Sequence, residues 1–138
     1  MKPDDCRLLD LPRIADDRGS LTVVEAERHI PFEVRRVFYL YEVPSGMSRA
    51  GHALRKCHQF IIAAAGSFDV VVDDGATRRR FRLDRPDQGL HVPPMVWREL
   101  ESFSAGSVCL VLASDYYALE DYVDVYEDYR RHLEAPSE

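Results

Sequence analysis

The sequence predicts an all-β chain, a double-sheet jelly roll or small β-barrel, with one short helix at its C-terminal end. Three observations carry this. Short runs that alternate apolar and polar side chains, or are apolar throughout, recur along the chain, as strands with one or two buried faces do. Breaks rich in Gly and Pro separate them, at Arg18-Gly19-Ser20, Pro44-Ser45-Gly46, Asp74-Gly75 and Pro86-Asp87-Gln88-Gly89. The period changes only after residue 114, where Tyr122, Val125, Tyr126 and Tyr129 recur at helical spacing.

Taken in order, residues 1–17 contain Pro3 and Pro12 and suggest an extended arm or short edge strand. A strand is expected over 21–27 (LTVVEAE), interrupted by Ile30-Pro31-Phe32. Residues 34–43 (VRRVFYLYEV) are apolar on both faces through their middle, which predicts a strand central in a sheet or buried at a subunit contact. The stretch 49–75 then sets His52 on an alternating segment, breaks at Gly66, and closes a second strand with Asp74-Gly75. Asp-Gly between two such runs is a hairpin turn, because Gly accepts the positive φ that the turn demands. Residues 77–84 (TRRRFRLD) carry arginines on a wet face, and 89–100 (GLHVPPMVWREL) reads as two short strands around Pro93-Pro94. The run VCLVLA (108–113) is a last buried strand, and the helix is assigned to 114–132, its end basic as suits a helix C-terminus. No repeat, low-complexity segment or linker interrupts this pattern, so 1–138 reads as one domain.

Composition narrows the function. With 46% hydrophobic and 30% charged residues, the chain has the makeup of an ordinary globular protein. A net charge of −6 disfavours nucleic acid and anionic membrane as partners, and an anionic small ligand would need a local cluster of arginines. Cys6, Cys57 and Cys109 are far apart and odd in number, which points to a reducing cytoplasm rather than a disulfide framework or zinc site. The N-terminus has no signal-peptide core, and no apolar run approaches a membrane span.

His52 leads the candidates for chemistry, since an imidazole takes and gives a proton near neutral pH. On a regular strand His52, Leu54, Lys56 and His58 share one face, which would make His58 a pocket co-resident of His52. The spacing overlays a barrel signature that normally holds a metal, His-x-His with a following carboxylate and a closing glycine, but Leu54 and His58 or Gln59 stand where further ligands would be. Arg98 occupies the last histidine's place, and a guanidinium there opposes a metal, so neither metal nor cofactor is expected. A triad of His52, His58 and His91 is the metal-binding alternative. Arg35, Arg36, Arg49 and Arg98 could form the positive cluster an anion needs. Trp97 could stack on a planar base, and Tyr39 is core unless it opens into the barrel.

The ordered set RGSL (18–21), IPFEVRRVFYLYEVP (30–44), RAGHA (49–53), GSFDVVVDDG (66–75), GLHVPPMVWREL (89–100) and VLASDYY…DYV (111–123) resembles the dTDP-sugar 3,4-ketoisomerases of deoxysugar biosynthesis, from about Arg18 to Tyr129. The resemblance implies a metal-free cupin-type barrel, dimeric with exchanged N-terminal strands. It implies a dTDP-4-keto-6-deoxyhexose as substrate, its carbonyl moved from C4 to C3. It gives His52 as proton shuttle and Tyr39 as active-site tyrosine. Arg49 is implied as a diphosphate contact and Trp97 as a wall of the nucleotide pocket; Arg98 and His58 are substrate-binding candidates from the reading of the residues themselves. The chain departs from the family pattern where Leu54 replaces a second histidine, Arg98 a histidine after the tryptophan, and His58 a glutamate. Leu54 motivates the alternative of a non-catalytic nucleotide-sugar-binding cupin.

Overall fold

A computed structural model describes residues 5–134. Twelve strands run through it: β1 (Arg7–Asp10), β2 (Arg13–Asp16), β3 (Gly19–Thr22), β4 (Arg36–Leu40), β5 (Arg49–Leu54), β6 (Gln59–Ala65), β7 (Phe68–Asp73), β8 (Arg78–Leu83), β9 (Gln88–Val92), β10 (Trp97–Glu101), β11 (Val108–Ala113) and β12 (Tyr122–Val123), followed by the helix α1 (Tyr126–Glu134). They form two five-stranded antiparallel sheets, ordered β1-β9-β6-β11-β4 and β12-β5-β10-β7-β8, with β2 and β3 as a separate hairpin. This is the all-β architecture with one short C-terminal helix that the alternation predicts.

The core lies between the sheets. Ile61, Leu90, Val92, Cys109 and Val111 from the first sheet meet Phe68, Val70, Val72, Phe81 and Leu83 from the second, all buried. Removing such side chains from water contributes about 1.5–3 kcal/mol each, which holds the two layers face to face. The back of the first sheet is covered separately: Leu11, Ile30 and Phe32 pack on Phe60, Ile62 and Leu112. The back of the second sheet is covered by α1, through Tyr129 on Trp97, Ala53 and Val123.

Several boundaries differ from expectation, each for a local reason. The strand expected over 21–27 ends at Thr22, because the chain then leaves the hairpin to cover the first sheet, with Val24 packed on that cover and Glu27 at φ 63°. The segment 34–43 shortens to β4 and sits at a sheet edge, not its centre, with Val37 and Tyr39 exposed. The helix expected from residue 114 begins only at Tyr126: Leu119–Asp121 is a 3-10 turn, and Tyr122 and Val123 pair with Leu54 and Ala53 at the free edge of β5. Tyr122 therefore keeps helical spacing without being helical. The arm of residues 1–17 yields edge strand β1 and half of the β2–β3 hairpin, its first four residues lying outside the described ones. The Asp74-Gly75 turn forms as expected, with the Asp74 carboxylate accepting from the Ala76 and Thr77 amides at 2.9 and 2.8 Å and Gly75 at φ 94°. Among the described residues no helix is long and apolar enough to cross a membrane.

Candidate active site

The site is built where β5, β10, β6 and β4 turn side chains into the space between the sheets. On β10, alternation sends Arg98 and Leu100 inward and Trp97 and Glu99 outward. Arg98 lies opposite His52 on β5, and Leu100 lies opposite Arg49. Two steps on β10 thus match three on β5, so a β-bulge puts Arg49 and His52 on one inward face that a regular strand would have split. Arg49 stands exposed at the rim, yet its charge acts on the buried thiol of Cys109, which burial pushes up to about 12.

His52 is half-buried, its ring 5.1 Å from that of Tyr122, and its Nε2, itself buried, has no hydrogen-bond partner among the described residues. Burial pushes its pKa down to about 3, helped by the charges of Arg98 and Arg36. The imidazole is therefore neutral at pH 7. Arg98 is only 2% exposed, and burial lowers its pKa to about 10. Its guanidinium donates to two neutral oxygens, the Val96 carbonyl at 3.1 Å and Gln59 Oε1 at 2.6 Å. Arg36, facing inward from β4, has an orphaned Nε and lies 5.7 Å over the ring of Tyr117, which in turn packs against Tyr122. Gln59, from β6, also leaves its Nε2 unpartnered.

Orphaned buried donors and acceptors cost about 1–3 kcal/mol each, so native chains rarely leave three in one place. Here Arg36 Nε, His52 Nε2 and Gln59 Nε2 share one interior, lined by cations. That combination suits a polar, anionic molecule that would satisfy them. Leu54, in the second histidine's place, is fully buried against Cys57, Ala113 and Tyr122 and closes the end of this space with an apolar wall.

Three of the expected site residues are not brought here. Tyr39 alternates with inward Arg36 and Phe38, so it points out of the barrel, 58% exposed beside Tyr41. The pattern did not distinguish the two faces because both are apolar. His58 is separated from His52 because the chain changes sheets between β5 and β6. That corner is fixed by Asp121, which accepts from the Lys56 amide at 2.9 Å, and by Ser114, which accepts from the His58 amide at 2.8 Å. The His58 ring consequently lies behind the first sheet, stacked on His91 (Nδ1 to Nε2 3.0 Å) under Phe32. The His52-His58-His91 triad is therefore not assembled, and among the described residues no three metal-ligating side chains are grouped. Trp97 is 4% exposed on the outer face of its sheet, edge-on to Tyr126, its Nε1 donating to Glu99 at 2.8 Å. It packs the helix and is not a wall of the His52 space. Arg35 likewise stays at the surface with Glu33.

A cavity of about 580 Å³ opens elsewhere, beside Arg7, Arg28, His29 and His91 on the back of the first sheet. The barrel interior carries the stronger case, because its polar atoms are buried and unsatisfied. Gln59 and Arg36 are the residues that sequence reasoning underrated: Gln59 was legible only as a weak metal ligand, and Arg36 as one arginine among four.

A two-sheet barrel with one neutral imidazole facing inward among guanidinium and amide groups defines the class: a barrel protein equipped to move protons on an anionic small molecule. Comparison with known proteins then gives the family. The chain belongs to the family described as WxcM-like, C-terminal (FdtA), whose model matches residues 4–134. It is 37% identical over 127 residues to the TDP-4-oxo-6-deoxy-alpha-D-glucose-3,4-oxoisomerase of Aneurinibacillus thermoaerophilus, covering 92% of this chain and 91% of that one. The X-ray structure of the WlaRB TDP-quinovose 3,4-ketoisomerase from Campylobacter jejuni matches with a TM-score of 0.87 at 38% identity, over 92% of this chain and 98% of that one. A histidine-to-asparagine variant of the 3,4-ketoisomerase QdtA from Thermoanaerobacterium thermosaccharolyticum, in complex with TDP-4-keto-6-deoxyglucose, matches with a TM-score of 0.91 at 35% identity, over 94% of each chain.

Proposed function

We propose that this chain, a sugar 3,4-ketoisomerase by family and fold, moves the carbonyl of a dTDP-linked 4-keto-6-deoxyhexose from C4 to C3, with His52 as the group that carries the proton. The observation that supports it most is the neutral His52, whose buried Nε2 is left without a partner, among the described residues, beside inward-facing cations. The C3 proton of a 4-ketone is acidified by the neighbouring carbonyl. His52 takes it, leaving an enolate with its negative charge on the C4 oxygen. The C3 hydroxyl proton passes to that oxygen, and the proton held by His52 returns to C4, which leaves a ketone at C3. Atoms and charge balance without an added oxidant or metal. One imidazole serves both transfers when C3 and C4 present the same face of the sugar, so the mechanism does not require a histidine at Leu54.

Arg36 and Arg98 make the interior cationic, and Arg49 adds charge at its rim, in a chain of net charge −6, which supports an anionic diphosphate as the handle of the substrate. The test is incubation with dTDP-4-keto-6-deoxyglucose in deuterated water, followed by proton NMR. Loss of the C3 proton signal with a new 3-keto species is expected. Untouched substrate in a chain that still binds dTDP would replace this function with that of a non-catalytic binder.

The assembly proposed is a homodimer with exchange of N-terminal strands. The β2–β3 hairpin stands off the barrel with Ile14 and Leu21 62% and 56% exposed, and the apolar outer face of β4 is also open. Such surface is commonly covered by a second copy. Sedimentation equilibrium is expected to give twice the chain mass of 15.9 kDa, and a monomer across micromolar concentrations would reject the dimer. A reducing, cytoplasmic setting fits Cys6, Cys57 and Cys109, none of which is in a disulfide.

A further inference from the structure

The reaction leaves one charge without a named partner, the C4 oxygen that turns negative as the C3 proton departs. Resting on the function proposed above, we infer that Gln59 donates its side-chain N–H to that oxygen, and that Arg98 holds the amide in the orientation this requires.

The guanidinium sets the orientation. Arginine has five N–H donors and no acceptor, so the atom Gln59 turns toward Arg98 must be its carbonyl oxygen. The contact is short, 2.6 Å from Nη1, and both side chains are only 2% exposed. Arg98 is itself pinned by the Val96 carbonyl through Nε and Nη2, at 3.3 and 3.1 Å. With Oε1 fixed, the Gln59 NH₂ has to face the other way. Its Nε2 is buried and has no hydrogen-bond partner among the described residues.

That NH₂ faces the interior where His52 waits. Gln59 lies on the inward side of β6 with Ile61 and Ala63, which line the core between the sheets. His52 stands on the opposite sheet, on β5 directly opposite Arg98 of β10, and feels the Arg98 charge. Base and donor thus stand on the two facing sheets, with Arg98 adjoining both. A donor aimed before the charge develops, in a site shielded from water, stabilises the enolate without reorganising. The adjacent guanidinium polarises the amide through its carbonyl, making the N–H a stronger donor. Gln59 is thereby a catalytic residue through its contact with the reacting oxygen, and Arg98 a positioning residue acting through it.

Gln59→Glu keeps the Arg98 partner and the shape while replacing the N–H donors with a charged oxygen, so it is read together with an uncharged variant. The expected result is a fall in kcat of about 10²-fold or more, as for other single oxyanion donors, with KM and dTDP affinity within about threefold and melting temperature held or raised. Gln59→Met removes the donor without adding charge and should show the same fall in kcat and in C3 deuterium exchange. Wild-type kcat in Gln59→Glu, or a loss in Gln59→Glu that Gln59→Met does not share, would overturn the donor role. A wild-type chain that neither isomerises nor exchanges C3 would overturn the isomerase function and this role together, whereas an active wild type with equally active variants overturns this role alone.

Discussion

His52→Asn is expected to lower turnover by about 10²–10⁴-fold or more while leaving dTDP affinity within a few-fold of wild type. The clean separation follows from the geometry. His52 Nε2 makes no internal hydrogen bond among the described residues, so the substitution breaks no network there. Its lowered pKa means that the native side chain carries no charge at neutral pH, so the electrostatics that hold the diphosphate are unchanged by its loss. What disappears is the one group able to take a proton from carbon in that space. Steady-state assay together with calorimetric titration of dTDP makes the comparison, and unchanged turnover in the variant would remove His52 from the mechanism.

Trp97→Ala is expected to cost about 3–5 kcal/mol of folding stability, the range for truncating a large buried aromatic. The indole is nearly all buried against Ala53, Val123 and Tyr129, with its ring 5.2 Å from that of Tyr126. It is the platform on which the only described α-helix rests, and Tyr129 itself donates to the Asp73 and Met95 carbonyls at 3.0 Å. Removing the platform should loosen α1 as a unit. Below the melting transition, KM for the nucleotide sugar should stay within a few-fold of wild type, because Trp97 faces away from His52. Urea unfolding and steady-state kinetics decide the matter: a large rise in KM with stability preserved would return the residue to the nucleotide pocket.

The contrast between these two residues shows what was legible in the sequence. Strand periodicity disclosed the sheets, and the segment RAGHA singled out Arg49 and His52 as candidates, since the residue types and spacing proposed for a proton carrier and an anion contact are local. Tyr39 and Trp97 were misplaced for a different reason. Each lies on a strand buried or apolar on both sides, so alternation names two faces without saying which is interior. His58 was misplaced because the pattern assumed one continuous strand where Asp121 and Ser114, distant in sequence, pin a corner. Gln59 was the hardest to find. A neutral amide on an apolar strand has no pattern of its own, and its meaning depends on the arginine 39 positions later that holds its oxygen. The helix start was lost to a competition that propensity does not see, the pairing of Tyr122 and Val123 with an open strand edge.

The bulge between β5 and β10 has a consequence for how this site can vary. Because two steps on one strand are matched by three on the other, Arg49 and His52 face the same way although three steps on a regular strand would set them on opposite faces. Composition within that interval is constrained by space, since a β-carbon at Gly51 would lie 2.6 Å from the Trp97 indole nitrogen. Length is a separate matter. Loss of one of the two intervening residues would restore a regular ladder, two steps against two, in which arginine and imidazole still share a face. The bulge is thus what makes an odd count tolerable along this strand.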